Sequence, residues 1–251
     1  MAKQIGVIKI QGTIEDLTFK KTQDGYMVSK KSAVNKSRIS TGASFLRTRE
    51  NMAEFAEATR AGKVLRRSMS ALLRSAKDSR LTSRLMKAMH DVIKSDSTSA
   101  RGSRSVSNGN VELLKGFDFN ANAHFSATVT APFSNVIDRS SGVIKTNIPA
   151  FVPTDMIKAP QGATHYKIVS GGAVLNFATE TSTVDIQESA VLPWDNKLTA
   201  DLNLVNTLPV DVSEPIFQLL GIQFFQQING EYYSLSNGTF NALNLAGVLK
   251  A

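Results

Sequence analysis

Residues 222–235 read Ile-Gln-Phe-Phe-Gln-Gln-Ile-Asn-Gly-Glu-Tyr-Tyr-Ser-Leu, and this stretch decides the fold. Apolar and aromatic residues fill both of its ends, and Asn229-Gly230 stands between them. Because both of these turn residues tolerate a positive φ, the pattern predicts two antiparallel strands joined by a tight turn. Ser236-Asn237-Gly238 predicts another turn, and residues 240–249 predict the strand that follows it.

Shorter patterns of the same kind precede this hairpin from residue 111 onward. Apolar residues alternate with Ser and Thr at 125–131, and further strand-like runs lie at 166–169, 173–177, 183–186 and 202–205. The prolines of the chain fall between positions 132 and 215, where they suit loops and strand edges. Seven or eight short strands separated by turn residues predict an antiparallel β-sandwich, immunoglobulin-like or jelly-roll-like, over residues 111–251.

Upstream, residues 38–94 carry apolar side chains at spacings of three and four, which predicts helices. The first helix is expected to begin near Ser40 and to stop at Ala61-Gly62, since glycine often ends a helix. The third is expected to begin at Asp78 or Ser79. The positions predicted to face inward are Phe45, Met52, Phe55 and Ala56 in the first helix, Leu65, Met69, Leu72, Leu73 and Ala76 in the second, and Leu81, Leu85, Met89 and Val92 in the third.

Two further segments complete the predicted organisation. Residues 1–37 predict short strands, with an apolar run at 5–10 and a hairpin at Asp24-Gly25. Residues 95–110 are rich in serine and poor in apolar residues, so they predict a flexible linker. The fold class is therefore expected to be α+β, made of an N-terminal β-hairpin segment (1–37), a basic helical segment (38–94), a Ser-rich linker (95–110) and a β-sandwich domain (111–251).

Charge is distributed unevenly along the chain. The net charge is +8, but residues 1–115 hold 23 Lys and Arg against 10 Asp and Glu, a balance of +13. Residues 116–251 hold 6 against 11, a balance of −5. Such polarity steers partners or self-association. The candidate anion-binding or nucleic-acid-binding face consists of the basic positions Arg60, Lys63, Arg67, Arg74, Lys77, Arg80, Arg84 and Lys87. The alternative is a face that meets only solvent or an acidic protein surface.

The sequence offers no recognisable catalytic or metal-binding motif. It contains no cysteine, and His90, His124 and His165 each stand apart from a second ligand at metal-site spacing. Gly62-Lys63 is followed by Val64 where a phosphate-binding loop needs Ser or Thr, and no Gly-x-Ser-x-Gly elbow occurs. We therefore expect no enzyme activity, no cofactor, no metal and no small-molecule substrate.

The N-terminal apolar run is interrupted by Lys9, so it does not fit a secretory signal. No run approaches the roughly 18–20 apolar residues that a membrane-spanning helix needs. We expect no membrane insertion, and a protein that is cytoplasmic or exported without a classical signal peptide.

Several stretches carry a resemblance to a known group of sequences. They are Ile8-Lys9-Ile10-Gln11-Gly12-Thr13-Ile14, Asp24-Gly25-Tyr26, Arg47-Thr48-Arg49-Glu50-Asn51, Ala61-Gly62-Lys63, Leu192-Pro193-Trp194-Asp195 and Asn237-Gly238. Together they resemble a family of uncharacterised proteins of Bacteroidota. The resemblance covers most of the chain and implies a bacterial protein of unknown activity, with no catalytic residues to carry over.

Two functions from different classes fit these patterns. The first is a non-enzymatic structural or interaction protein, a component or cargo of a phage-like or injection particle, with a protein partner or self-association. The alternative is sequence-independent nucleic-acid binding by the basic helices. A carbohydrate-binding sandwich has little support, because Trp194 is the only tryptophan and follows a proline.

Overall fold

The computed structural model describes residues 1–31, 36–76 and 78–250 and divides the chain into two compact units, Met1–Asn51 and Met52–Ala251. This division differs from the four segments predicted above, since its boundary falls inside a helix. The elements that begin in the first unit are β1 (Ala2–Lys3), β2 (Gly12–Ile14), β3 (Leu17–Thr22), β4 (Gly25–Lys30), α1 (Lys36–Thr41) and α2 (Leu46–Ser68).

The first unit contains a small antiparallel sheet with the strand order β1-β4-β3-β2. Strands β3 and β4 form the hairpin predicted at Asp24-Gly25, and Gly25 supplies a φ of +108° at the turn. The strand predicted at 5–10 is wrong. The Gln4 side chain accepts a hydrogen bond from Ile10 N and donates one to Ile10 O, at 3.0 and 3.2 Å, so the backbone closes into a loop and the apolar run stays outside the sheet.

The described residues of the first unit do not form a hydrophobic core. Within its described residues, 1–31 and 36–51, no residue is buried. The loop residues Ile5, Val7 and Ile8 are 94%, 100% and 83% exposed. A few short strands without a buried face are marginally stable in water.

The second unit continues α2 and then builds shorter helices and larger sheets. Its helices are α3 (Ser70–Leu73), α4 (Leu81–Lys94), α5 (Phe125–Thr128) and α6 (Pro153–Met156). Its strands are β5 (Ser134–Asp138), β6 (Val143–Ile148), β7 (His165–Asn176), β8 (Thr181–Glu188), β9 (Leu192–Pro193), β10 (Leu202–Thr207), β11 (Ile216–Ile228), β12 (Glu231–Ser234) and β13 (Ala242–Leu249).

Helix α2 passes through Ala61-Gly62 instead of ending there. Gly62 is buried against α4, where an added Cβ would lie 3.7 Å from Leu85 Cγ, so helix packing offsets the cost of a glycine inside the helix. The stripe predicted for this helix is also wrong, since Met52 and Phe55 are more than half exposed and Ala58, Ala61 and Leu65 are buried in their place. The predicted inward positions of the second and third helices are all buried.

Two antiparallel sheets form the rest of the unit and confirm the α+β class. In the larger sheet β12, β11, β7 and β8 lie in order, β13 also pairs with β11, and β9 also pairs with β7. The smaller sheet has the order β10-β6-β5, and together the strands curl into a half-barrel. The hairpin predicted around Asn229-Gly230 is confirmed by the pairing of β11 with β12.

The central strands of the larger sheet, β7 and β11, are buried on both faces. Val169, Ala173 and Leu219 belong to one hydrophobic cluster with α2 and α4. The alternate side chains of the same strands, among them Ile168 and Leu220, pack with Ile148 and Leu204 of the smaller sheet. Strands with two apolar faces need cover on each side, which explains why the helices fold onto the sheet instead of forming a separate segment.

Two loop-level predictions need correction. Residues 125–128 form α5 instead of a strand, because Asp118 Oδ1 accepts a hydrogen bond from Phe125 N at the first turn. The segment 95–110 is folded onto the helices instead of forming a free linker. Val106 is fully buried, Asp96 accepts hydrogen bonds from Thr98 and Ser99, and Glu54 Oε1 accepts one from Gly102 N at 2.9 Å.

Candidate anion-binding surface

The structure places most of the predicted basic residues at the surface of the second unit. Arg60, Lys63, Arg67, Arg74, Arg80 and Lys87 are exposed, and Lys77 lies outside the described residues. Arg84 is the exception, since it is half-buried. The predicted set is therefore not one uniform face.

Arg84 supports the fold instead of presenting its charge to solvent. Its guanidinium donates to the Asp78 carboxylate, to Asp118 O at 2.8 Å and to Phe119 O at 3.2 Å, and it lies 5.1 Å from the centre of the Phe117 ring. These contacts join the start of α4 to the loop that precedes α5. The prediction that Arg84 binds an external anion is corrected, because its donors are used inside the protein.

Other basic residues have acidic partners on their own helices. Arg60 donates to Glu57 Oε2 at 2.5 and 3.0 Å, and Lys94 lies 3.5 Å from Asp91 Oδ1. Such exposed pairs at a spacing of three residues contribute little to stability, but they lower the net charge around them. These pairs provide matched positions for comparison with unpaired cations.

A group of unpaired cations remains on one side of α2 and its continuation. Among the described residues, Lys63, Arg66, Arg67 and Arg74 have no hydrogen-bond or ion-pair partner for their side chains. Lys63, Arg66 and Arg67 lie three and four residues apart on α2, which places them on one helical face, and Arg74 directly follows α3. We call these four residues the basic stripe. Arg66 is not among the residues predicted for the face from the sequence, because its lack of an acidic partner is seen only in the structure.

A groove of 410 Å³ opens beside two residues of the basic stripe. Arg66 and Arg74 lie at it, and the remaining lining comes from Ser70, Leu73, Asp78, Ser79, Leu81 and Thr82. We call it the α2–α4 groove, since it lies between the end of α2 with the adjoining α3 and the start of α4. The groove therefore combines two guanidinium groups with several hydroxyl groups.

Asp78 is the acidic residue of this groove, and its charge is balanced inside the protein. Burial raises the pKa of Asp78, but hydrogen bonds from Ala121 N, from the Arg84 guanidinium and from Arg80 N outweigh that effect and hold the pKa below its ordinary value. Asp78 is therefore ionised at neutral pH and paired with Arg84. Among the described lining residues, the charge that the groove presents to a ligand comes from Arg66 and Arg74.

Histidine and carboxylate groups elsewhere do not assemble a metal centre in the described part of the chain. No group of three or more of them is placed to hold a metal ion there. His124 Nδ1 does lie 2.7 Å from Asp118 Oδ2, a pairing that the sequence analysis missed because it depends on the loop conformation at 118–125. In the same part of the chain, no helix is both long and apolar enough to span a bilayer.

Comparison with known proteins adds no identity. No protein-family model matches the chain, and no curated protein or solved structure shows significant similarity to it. The resemblance to uncharacterised Bacteroidota proteins therefore stays a prediction.

Proposed function

We propose that this chain is a non-enzymatic interaction protein whose N-terminal unit attaches it to a protein partner or to a second copy of itself. The observation that carries the proposal is the absence of any buried residue among the described residues of Met1–Asn51. An apolar loop with Ile5, Val7 and Ile8 almost fully in water adds to it. Exposed apolar clusters of this kind are typical of association surfaces.

Attachment through this loop supports a role as a component or cargo of a larger assembly, such as a phage-like or injection particle. The second unit, in which the central strands β7 and β11 are covered on both faces, supplies the stable body that such a component needs. Phage or injection-machine genes beside the coding gene would support this setting, and genes of unrelated metabolism would speak against it.

Light scattering over a series of protein concentrations tests the attachment proposal. The apparent mass is expected to rise with concentration, or with an added partner, and to stay at one chain when Ile5, Val7 and Ile8 are all changed to Ser. The matched control changes Leu113, Leu198 and Val210 to Ser, which are exposed apolar residues of the second unit. A strict monomer at every concentration that also binds no partner through the loop would count against the proposal.

Sequence-independent nucleic-acid binding is the second candidate, and the basic stripe favours it. Three unpaired cations on one face of α2 and a fourth directly after α3 suit contact with several phosphates. The absence of Phe, Tyr and Trp between Phe55 and Phe117 gives no platform for base stacking. If all four contact duplex phosphates, the logarithm of affinity should fall with the logarithm of salt concentration with a slope of about −3.6.

Fluorescence titration of duplex DNA at two salt concentrations tests this second candidate. Changing Lys63 and Arg67 to Ala should weaken binding and reduce the steepness of the salt dependence by about 2. Changing Arg60 and Lys94 to Ala removes the same charge from paired positions and should have a smaller effect. Equal losses in the two double variants would show that only the total charge matters and would remove the stripe as a site.

A further inference from the structure

We infer that the α2–α4 groove is a phosphate-binding site in which Arg66 and Arg74 hold the anion. If the phosphate belongs to a nucleic-acid backbone, the inference rests on the nucleic-acid binding proposed above and names its site. It also extends to a free phosphate group.

The placement of the two arginines is the first argument. Both side chains line the same groove, and among the described residues neither has a hydrogen-bond or ion-pair partner. A guanidinium presents a planar fork of N–H donors that matches the oxygens of a phosphate. Two such forks at one groove provide charge and directed donors together, whereas isolated surface cations provide charge alone.

The lining of the groove supplies the second argument. Ser70 and Thr82 add hydroxyl groups, which donate readily to phosphate oxygens. The carboxylate of Asp78 would repel an anion if it were unpaired, but its oxygens already accept from Arg84, Arg80 N and Ala121 N. The local balance therefore favours an anion.

The groove is large enough for the proposed anion. A lined space of 410 Å³ accommodates a phosphate group with the atoms next to it, but not a folded polymer. A longer nucleic acid would place one phosphate in the groove and continue across Lys63 and Arg67. The shared chemistry that the two guanidinium groups recognise is a phosphate group, which is either free or part of a phosphodiester backbone.

Titration calorimetry of the full chain tests the inference with two probes, inorganic phosphate and a short DNA duplex without terminal phosphates. The groove variant carries Arg66→Gln and Arg74→Gln, which keep most of the side-chain length. We expect affinity to fall about tenfold for each arginine and about a hundredfold for both. The control variant carries Arg60→Gln and Lys94→Gln, and thermal unfolding checks that each variant is folded. If the double variant is unfolded, Arg74→Gln alone provides the test, since Arg74 is exposed.

Each outcome separates the groove from the wider function. If the groove variant binds inorganic phosphate more weakly and the control variant does not, the result supports a free-phosphate site. If only binding of the duplex shows this pattern, the result supports a backbone-phosphate site. Duplex binding that Lys63→Ala with Arg67→Ala weakens, but the groove variant leaves unchanged, overturns the groove while leaving nucleic-acid binding in place. Binding of neither probe overturns the groove and counts against the nucleic-acid proposal as well.

Discussion

Gly142 joins β5 to β6 with a φ of +67°, a backbone region that residues with a Cβ rarely adopt. A Cβ at this position would lie 2.2 Å from Leu208 O, a backbone atom that cannot rotate away. Gly116 also has a positive φ, of +87°, but no atom lies within 4 Å of the position that its Cβ would take. Gly116→Ala therefore measures the cost of the φ angle alone. We predict that Gly116→Ala costs about 1–2 kcal/mol and that Gly142→Ala costs at least about 1 kcal/mol more. Urea unfolding of both variants measures the difference, and equal losses would mean that the loop at Leu208 moves aside.

The Arg84–Asp78 pair makes a second prediction at the residue scale. Arg84→Ala leaves Asp78, whose side chain is 7% exposed, without its cation, and the free energy of unfolding at pH 7 should fall by about 2 kcal/mol after allowing for the partial exposure of Arg84. Lys87→Ala, on the same helix, should change it by less than about 0.5 kcal/mol.

The pH dependence of this pair follows from the pKa of Asp78, which is lowered in the folded state. The stabilisation is complete above the unfolded pKa of about 3.9 and is lost as the pH falls through the lower folded value. The wild type should therefore lose stability more steeply below pH 4 than Arg84→Ala does. Denaturation at pH 7 and pH 3 checks the slope, and parallel losses in both proteins would contradict this role of the pair.

The packing of α2 on α4 gives the first prediction at the scale of elements. Gly62 lies inside α2, and a methyl group there would meet Leu85 and Met89 at 3.7–3.8 Å, which is ordinary van der Waals contact. Because glycine is a poor helix former, Gly62→Ala should raise the free energy of unfolding by about 0.5–1 kcal/mol. Thermal and urea unfolding measure the change. A loss of stability would show that the two helices pack more tightly than these distances allow.

The sequence predicted elements well where one periodic pattern ran long enough. The inward faces of α4 and the hairpins at Asp24-Gly25 and Asn229-Gly230 follow from local spacing and turn chemistry alone. The loop at 5–10 and the helix at 125–128 depend on single side-chain contacts, from Gln4 and Asp118, that no periodicity contains. For the candidate site, the charges were predictable from the sequence. The internal hydrogen bonds of Arg84 were not, because they go to backbone carbonyl groups more than 30 residues away in the sequence.

The Ser-rich loop at 95–110 carries a prediction of its own. The buried Asp96 carboxylate accepts hydrogen bonds from the backbone of Thr98, Ser99 and Ser105 and from the Thr98 hydroxyl. Burial raises the pKa of Asp96, but hydrogen bonds from the side chains and the backbone of Ser99 and Thr98 outweigh that effect and hold the pKa well below its ordinary value. Asp96→Ala should therefore speed hydrogen exchange at these three amides, while Asp91→Ala should leave them unchanged. Unchanged exchange in Asp96→Ala would mean that Glu54 and Val106 hold the loop without it.

At the scale of the whole molecule, ion pairs within the protein neutralise only part of the uneven charge along the chain, and the rest is available to partners. The pairs Arg60–Glu57 and Arg84–Asp78 lie within the basic part of the sequence, and Lys167–Glu188 lies within the acidic part. These pairs lower local charge without joining the two parts. The basic stripe keeps its positive charge after folding, which is the electrostatic condition for both proposed ways of binding an anion.

The two units should also differ in stability, and hydrogen exchange of the full chain tests this. Strands β7 and β11 are covered on both faces, so their amides should exchange only through large-scale unfolding. The hairpin of β3 and β4 has no buried residue, so its amides should open locally and exchange at least about a hundredfold faster. Binding of the N-terminal unit to its partner should slow the hairpin amides selectively and leave β7 and β11 unchanged. If the hairpin amides of a dilute monomer were as well protected as those of β11, the result would contradict the proposal that the N-terminal unit is stabilised by association.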